Sequence, residues 1–410
     1  MLNWANRFNI FCLLDNQQYQ IQKPNFECLL AAGCRAKLSA SAGNGAFEQL
    51  KKFSKQHTGW LFGHLAYDLK NEVENLKSGN WDGIGFDDVY FFVPEIVLEL
   101  TETKLLIYAD TDETEIFTAI LTTNSVMAPL PSASPLTIQH KIPKADYIKS
   151  INLLQAHIQQ GDCYVVNFCQ EFFATDTVIE PLQVYQQLTN ISPNPFAALY
   201  KLHDKYCICA SPERYLKKTG NTLLSQPIKG TAIRDLQNQQ LDELSKHQLL
   251  NSEKEKSENV MVVDLVRNDL SKICEEGSVQ VDELFGLYSF QQVHQMISSV
   301  SGTLLEKHDW VDAIKATFPM GSMTGAPKKK VMELIEQYEQ TKRGLYSGAI
   351  GYVHPNGNFD FNVVIRSILY NATAQYLSFQ TGSAITFYSN PQQEYEECLL
   401  KATAIRQVLG

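Results

Sequence analysis

The chain has 410 residues, enough for two or three average domains or one large one, and its hydrophobic fraction of 44% is typical of a globular protein with a substantial core. Asp and Glu number 45 against 35 Lys and Arg, which gives a formal net charge of −10 at pH 7. Because nucleic acids and anionic membranes attract clustered positive charge, this balance argues against both as partners, and no apolar run is long enough to predict a membrane span.

The pattern of cysteines and the N-terminal residues indicate the cellular compartment to expect. None of the nine cysteines forms a Cys-x-x-Cys pair, so we expect neither a structural zinc site nor a disulfide framework. A secretion signal would have an apolar stretch followed by a small-residue cleavage site, and residues 1–7 lead into no such stretch. We therefore expect a cytoplasmic protein with reduced thiols.

A change in composition predicts the main division of the chain. Four prolines fall between 129 and 143 among Ser, Ala and Thr, a density that no helix or central strand tolerates. We predict an N-terminal region over 1–125, a proline-rich linker or surface excursion over 126–144, and a larger C-terminal domain over 145–410.

Apolar periodicity predicts both strands and long helices. Short β-branched or aromatic runs predict strands at 89–93, 96–100, 105–108, 347–353, 359–368 and 374–380. Asn356-Gly357, between two of these runs, is a strong signal for a hairpin and hence for antiparallel pairing. Helical spacing predicts helices over 145–161 and 255–273. Hairpins combined with long helices indicate an α+β fold rather than βαβ repeats.

Pro227-Ile228-Lys229-Gly230-Thr231 places a lysine beside a glycine, where a ligand can approach closely. Taken alone, such a lysine is more often a solvated side chain than a functional one. An amine must be neutral to attack a substrate. A nucleophilic Lys229 would therefore need a half-buried site that favours the neutral form, or a carboxylate that accepts its proton.

Glutamates recur at helical spacing in two segments. Glu258 shares a face with the apolar stripe of the helix predicted over 255–273, and a carboxylate that points inward needs a partner or a metal. Glu394 and Glu397 are three residues apart, with Lys401 four residues beyond Glu397. Two inward glutamates from different helices could hold Mg²⁺, whereas the alternative is an ordinary Glu397–Lys401 surface pair.

The glycines of Gly321-Ser322-Met323-Thr324-Gly325-Ala326-Pro327-Lys328 do not have the spacing of a phosphate-binding loop, and no Ser or Thr follows Lys328. We predict instead a glycine loop that enters a helix, with Thr324 as N-cap and Pro327 near the first helical position. The free N–H groups at such a helix start would favour an anion such as a carboxylate.

Arg366 and His294 are further candidates. Strand alternation predicts that Arg366 shares a face with Asp360 and Asn362. An arginine on one face of a sheet is usually solvated, but if that face lines a cleft its fork would suit a substrate carboxylate. His294 is either a proton donor or a satisfied core histidine.

Together these segments resemble the chorismate-utilising enzymes, which include component I of anthranilate synthase and of aminodeoxychorismate synthase, and the isochorismate and salicylate synthases. The resemblance runs from about residue 145 to residue 410 and rests on Ser211-Pro212-Glu213-Arg214 and on the segments 258–270, 321–327, 343–352 and 360–366. It implies the fold of anthranilate synthase component I, with large antiparallel β-sheets packed as a sandwich and helices outside. It also implies that 145–410 is the catalytic domain.

Lys229 distinguishes the branches of this family. Aminodeoxychorismate synthases resemble Pro-Ile-Lys-Gly-Thr here, whereas anthranilate synthases resemble Pro-Ile-Ala-Gly-Thr. The resemblance therefore implies that Lys229 attacks C2 of chorismate, that Glu213 protonates the leaving C4 hydroxyl, and that ammonia then displaces the lysine to give 4-amino-4-deoxychorismate. Val165 falls where isochorismate and salicylate synthases place a water-activating lysine, which counts against those activities.

The resemblance also assigns the remaining site residues. It implies a catalytic set of Lys229, Glu213, His294 and Thr324, a substrate-binding set of Tyr346, Arg366, Gly382, Ser383 and Lys401, and Mg²⁺ ligands Glu258 and Glu397, with Glu255 and Glu394 as second carboxylates. Leu13-Leu14-Asp15-Asn16 resembles the element beside the tryptophan pocket of anthranilate synthases, although Asn16 stands where those enzymes usually have serine.

The source of ammonia and two alternative functions complete the expectations. No Gly-x-Cys-x-Gly nucleophile turn is present, so we expect a separate glutamine amidotransferase subunit as partner. One alternative is anthranilate synthase component I, which would release pyruvate and aromatise the ring. Another is a catalytically inactive ligand-binding or scaffold homologue, against which the intact Glu213, Lys229, Glu258 and Glu397 argue.

Overall fold

The computed structural model describes residues 1–19, 26–123 and 136–410, so the first part of the predicted linker, 126–135, lies outside the described residues. The strands β1 to β21, in chain order, are Ile10–Asp15, Cys28–Ala32, Ala36–Ala40, Leu61–Leu65, Val89–Val93, Ile96–Leu100, Leu105–Ala109, Gln139–His140, Val165–Ala174, Phe196–Leu202, Lys205–Ser211, Arg214–Thr219, Thr222–Gln226, Ile228–Ile233, Gln280–Ser289, Val293–Thr303, Gly325–Ala326, Ala349–Val353, Phe359–Asn362, Ser367–Asn371 and Tyr376–Ile385. The helices α1 to α12 are Leu2–Ala5, Ala46–Gln56, Lys70–Glu74, Glu113–Thr122, Lys144–Gln159, Pro181–Ile191, Gln239–Leu250, Glu253–Ser271, Trp310–Thr317, Lys328–Tyr338, Pro391–Lys401 and Thr403–Leu409.

The strands form two large antiparallel sheets. The first has 11 strands in the order β17-β9-β21-β20-β11-β10-β1-β2-β6-β7, with β8 paired to β9. The second has 10 strands in the order β14-β16-β13-β12-β19-β18-β4-β5-β3, with β15 paired to β16. The N-terminal strand β1 pairs with β10, and β4 pairs with β18. The first 125 residues therefore contribute strands to both sheets.

Two apolar cores explain the layering. In β1, Ile10 and Cys12 belong to the core shared by the two sheets, whereas Phe11 and Leu13 belong to a second core. The second core is completed by residues of α5, α6, α10, α11 and α12, so these helices cover the outer face of the first sheet. Alternate side chains of a strand point to opposite faces, and here both faces of β1 are buried. The predicted α+β sandwich with helices outside is confirmed.

Several predicted elements are confirmed with shifts of a residue or two at their ends. The predicted strands 89–93 and 96–100 are β5 and β6, and the two predicted helices are α5 and α8. The Asn356-Gly357 hairpin is present, because β18 and β19 pair with Val353 opposite Phe359.

The prediction of one strand over 359–368 is wrong. Strand β19 ends at Asn362, and the chain then crosses from the second sheet to the first, where β20 begins at Ser367. Arg366 lies in the crossing with a left-handed φ of 53°. It therefore does not share a strand face with Asp360 and Asn362, because strand alternation stops at the end of β19.

The predicted N-cap is also wrong. Gly325–Ala326 forms the short strand β17 against β9, which delays helix α10 until Lys328 and puts Pro327 at the N-cap position. Thr324 lies outside the helix, and its hydroxyl donates to the carbonyl of Met320 at 3.1 Å.

Within residues 1–19, 26–123 and 136–410, none of the helices is both long enough and apolar enough to traverse a lipid bilayer.

Candidate active site

A cleft of about 1150 Å³ lies where β9 and β21 of the first sheet meet β14 of the second, with α8 and α11 at its side. Its lining contains ten of the residues predicted from sequence: Glu213, Lys229, Glu255, Glu258, Tyr346, Arg366, Gly382, Glu394, Glu397 and Lys401. His294, Thr324 and Ser383 are not among the lining residues. The structure thus brings together residues from segments up to 188 positions apart, from Glu213 to Lys401.

A bulge in β14 places Lys229 in the cleft. The register against β16 slips between Ile228 and Thr231, so Lys229 and Gly230 occupy the bulge. Gly230 has a φ of +96°, and a Cβ at this position would lie 3.1 Å from Leu249 Cδ1. A side chain here would be strained and crowded, so glycine is required next to the half-buried Lys229.

Glu213 lies in the turn between β11 and β12 and is 4% exposed. Its backbone is fixed because its N–H donates to Ser211 Oγ at 3.2 Å and its carbonyl accepts the Val363 N–H at 3.0 Å. Burial raises the pKa of the Glu213 carboxyl to about 7, although the positive charge of Lys229 acts in the opposite direction. A carboxyl that still carries its proton near neutral pH can act as a general acid.

Four of the glutamates that line the cleft, hereafter the carboxylate cluster, come in two pairs. Glu255 and Glu258 lie in the first turns of α8, and Glu394 and Glu397 lie on α11. Glu258 Oε1 and Glu394 Oε2 are buried and have no hydrogen-bond partner. No three metal-binding side chains of the described residues converge closely enough to form a ready cage for an ion.

The cluster members differ in how readily they ionise. Burial raises the pKa of Glu258 to about 7 and also raises the pKa of Glu255. Burial acts on Glu397 too, but its pKa lies below the ordinary value because Lys401 Nζ is 2.7 Å from Glu397 Oε1. The predicted Glu397–Lys401 pair is thus present, and it lies inside the cleft rather than on the outer surface.

Lys254 is a cleft residue that the sequence interpretation missed. Its Nζ lies 3.5 Å from Glu394 Oε1 and 3.9 Å from Glu258 Oε1. Burial alone would lower the pKa of Lys254, but the carboxylate cluster outweighs it and the pKa is raised. The i, i+4 spacing of Lys254 and Glu258 was the signal that could have found it, but the helix predicted over 255–273 began one residue too late to include it, whereas α8 begins at Glu253.

Two cationic side chains, Arg366 and Lys401, line the cleft beside the carboxylate cluster and are hereafter called the cationic wall. Arg366 Nη1 donates to the carbonyl of Lys401 at 2.7 Å, and Lys401 Nζ donates to the carbonyl of Gly382 at 2.8 Å. Gly382 is required by close packing, because a Cβ there would lie 2.2 Å from the carbonyl oxygen of Phe168 on β9. Arg366 and Lys401 are thereby held where they can bind an anionic group in the cleft.

His294 does not reach the cleft. Its Nε2 lies 3.0 Å from Asp242 Oδ1 and its Nδ1 lies 2.8 Å from Ser289 Oγ, while only 1% of the residue is exposed. Both ring nitrogens therefore make hydrogen bonds in the core, as expected for a satisfied core histidine rather than a proton donor. Thr324 instead borders a second cavity of about 10 Å³, which it shares with Lys229 and Glu258.

A buried ion pair supports the floor of the cleft. Arg343 Nη2 lies 2.7 Å from Glu339 Oε1 and also donates to the carbonyl of Asn167 at 2.7 Å. Asn167 lines the cleft, and its Nδ2 donates to the carbonyl of Met323 at 3.3 Å. Arg343 belongs to the motif 343–352, but its supporting role depends on tertiary contacts that no spacing in the sequence reveals.

Comparison with known proteins places this site in a family. The sequence model of the chorismate-binding enzymes matches residues 10–407. The chain belongs to this family. Among solved structures, anthranilate synthase component I from Streptococcus pneumoniae superposes with a TM-score of 0.80 at 27% identity, covering 92% of this chain and 91% of that one.

Curated relatives within the chorismate-binding family carry the names of two activities. Aminodeoxychorismate synthase component 1 of Bacillus subtilis is 33% identical over 365 residues, which cover 86% of this chain and 77% of that protein. An anthranilate synthase component I-like protein of Synechocystis is 36% identical over 358 residues, which cover 86% of this chain and 73% of that protein. The resemblance inferred from the motifs is confirmed at the level of the family.

Proposed function

We propose that this chorismate-binding enzyme is component I of an aminodeoxychorismate synthase, which converts chorismate and ammonia to 4-amino-4-deoxychorismate for para-aminobenzoate and folate synthesis. The observation that carries the proposal is the half-buried Lys229 in the cleft, close enough to Glu213 for their charges to interact. A nucleophile and a proton donor thus face the same space.

The proposed reaction uses Lys229 and Glu213 in two steps. The neutral amine of Lys229 forms a bond to C2 of chorismate, the ring double bonds shift, and the C4–oxygen bond breaks as Glu213 protonates the departing hydroxyl, which leaves as water. Ammonia then bonds to C4, the double bonds shift back, and the C2–nitrogen bond to Lys229 breaks. Lys229 leaves as the neutral amine, and the new ammonium on C4 gives a proton to Glu213, so both residues are restored. The sum is chorismate plus ammonia giving 4-amino-4-deoxychorismate plus water.

The cationic wall suits the two carboxylates of the substrate. Arg366 and Tyr346 are proposed to hold the enolpyruvyl carboxylate, and Lys401 is proposed to lie near the ring carboxylate. The Arg366 side chain is fixed by its bond to the Lys401 carbonyl, so it need not be ordered when substrate binds. Local cations therefore offset the overall acidity of the chain at this site.

Mg²⁺ is the proposed cofactor, and the donor set fits it. Glu258 and Glu397 would hold the ion, with Glu255 and Glu394 as second carboxylates. Carboxylate oxygens are the ligands Mg²⁺ prefers, and Glu258 Oε1 and Glu394 Oε2 are buried without a hydrogen bond to satisfy them. Mg²⁺ usually keeps several waters and takes few protein ligands, so a three-residue cage is not required. When bound, it would neutralise the ring carboxylate of chorismate.

A glutamine amidotransferase subunit is the proposed source of ammonia, and the cytoplasm is the proposed location. With the purified chain alone, ammonium salts should support turnover and glutamine should not. Adding the amidotransferase should make glutamine effective. Turnover of glutamine by the chain alone would contradict the proposed partner.

Anthranilate synthase component I remains the second candidate, because a relative of similar identity carries that name. Lys229 separates the candidates, since anthranilate formation needs no covalent lysine adduct. Chorismate incubated without ammonia should leave an adduct on Lys229 with the mass of chorismate less one water, detectable by intact-mass and peptide mass spectrometry. A catalytically inactive homologue would form neither adduct nor product.

Matched variants make this test specific. Lys229→Arg keeps the positive charge but cannot attack, so adduct formation and turnover should both disappear while chorismate binding persists. Lys329→Ala, at an exposed lysine of α10, should leave both unchanged. An unchanged turnover rate in Lys229→Arg would refute the covalent mechanism.

A further inference from the structure

Lys254 bridges the two halves of the carboxylate cluster. Its Nζ lies 3.5 Å from Glu394 Oε1 on α11 and 3.9 Å from Glu258 Oε1 on α8. In the part of the chain that the structure describes, Lys254–Glu394 is the ion pair that links these two helices. Lys254 therefore offsets repulsion between glutamates from two helices, whereas Lys401 pairs with Glu397 within α11 and Lys229 acts on the cluster from β14.

The position of Lys254 on its helix is unfavourable without the cluster. Helix α8 begins at Glu253, so Lys254 lies in the first turn, where the positive end of the helix dipole disfavours a cation. Lys256, two residues further on, instead lies 3.8 Å from Glu253, outside the cleft. The two lysines thus have the same helical surroundings and differ in which carboxylates they meet.

We propose that Lys254 is an internal counter-cation, which holds the carboxylate cluster together before Mg²⁺ binds and gives up its place when the ion arrives. The inference rests on the Mg²⁺ assignment made under the proposed function. An ammonium group and Mg²⁺ both seek carboxylate oxygens, so they compete for Glu258 and Glu394. The Lys254 side chain is 46% exposed and has a flexible stem, so it can move aside.

Removing the charge of Lys254 has two measurable consequences. Lys254→Gln should melt at a lower temperature than the wild type in EDTA, because the four glutamates then repel one another, and saturating Mg²⁺ should close this gap. Mg²⁺ should also bind more tightly, because no cation has to be displaced. We expect the Kd to fall by about tenfold, allowing for screening in an open cleft.

The test uses isothermal titration calorimetry with MgCl₂, and thermal unfolding in EDTA and in MgCl₂, on the full chain without substrate. Lys256→Gln is the matched control and should change neither quantity. If Lys254→Gln does not fold, Lys254→Arg carries the test, because its fork grips carboxylates more firmly and should weaken Mg²⁺ binding.

Three results would overturn the inference: no tightening of Mg²⁺ binding in Lys254→Gln, a melting gap that persists in Mg²⁺, or an unchanged Mg²⁺ Kd in Lys254→Arg. Absence of Mg²⁺ binding to the wild type would overturn the Mg²⁺ assignment as well. Because no readout depends on turnover, an error in the proposed product is detected separately, by product analysis.

Discussion

Replacing Glu213 with glutamine should remove activity and yet stabilise the protein at alkaline pH. Glu213→Gln keeps the shape of the side chain but cannot protonate a leaving hydroxyl, so turnover should fall by roughly 10²- to 10⁴-fold. Stability should respond in the opposite direction, because the buried Glu213 carboxyl becomes charged above about pH 7 without a fully compensating partner.

The size of the stability effect follows from the pKa. Burial moves Glu213 from its ordinary value of 4.5 to about 7, so the folded protein holds a proton that the unfolded chain has already released between these pH values. The free energy of unfolding therefore falls as pH rises through this window. Between pH 5 and pH 8 the loss attributable to Glu213 is about 2.5 kcal/mol.

Urea unfolding at pH 5 and pH 8, in EDTA, measures this effect. The free energy of unfolding of Glu213→Gln, relative to that of the wild type, should be about 2.5 kcal/mol higher at pH 8 than at pH 5. Glu333→Gln, at an exposed glutamate of α10, is the matched control and should show no such shift. An equal difference at both pH values would refute the claim that burial keeps Glu213 protonated, and with it the basis for its role as an acid.

Three further predictions concern the same cleft. Gly230→Ala brings a Cβ to 3.1 Å from Leu249 at a φ of +96°, so it should cost about 1–3 kcal/mol of stability in urea unfolding and also lower kcat. The control Gly220→Ala has a φ of +59° but open space around the new Cβ, so it should lower stability alone. Equal kcat values in the two variants would contradict the claim that crowding at Gly230 disturbs the cleft. Arg366→Met should raise the KM for chorismate by roughly 10- to 100-fold in steady-state kinetics, since it removes a charge-assisted carboxylate contact, and an unchanged KM would exclude Arg366 from substrate binding. The pH profile of kcat/KM should decline on its alkaline side with a pKa of about 7, because Glu213 donates only while protonated; a flat profile from pH 6 to 9 would contradict this role.

The sequence was most informative where structure depends on neighbours along the chain. The hairpin at Asn356-Gly357 and the helix that carries Glu258 follow from turn chemistry and apolar spacing, and both are present. The grouping of Lys229 with the carboxylate cluster came from motif resemblance, since spacing alone left a solvated lysine and a surface Glu397–Lys401 pair as the more ordinary interpretations.

Non-local pairing explains what the sequence did not reveal. Contrary to the prediction, Thr324 is not the N-cap of α10, because Gly325–Ala326 pairs with β9, a strand about 160 residues earlier in the chain. Arg366 does not lie on the predicted strand, because the chain crosses from the second sheet to the first after Asn362. His294 turned inward to Asp242, a partner 52 residues away that strand alternation cannot identify.

The most direct test of the proposed function is the identity of the product. The purified chain should be incubated with chorismate, Mg²⁺ and ammonium, and the product identified by liquid chromatography with mass spectrometry and by fluorescence. We predict 4-amino-4-deoxychorismate, which retains the enolpyruvyl group, with no release of pyruvate. Fluorescent anthranilate formed together with pyruvate would contradict the proposal and assign the chain to the other branch of its family.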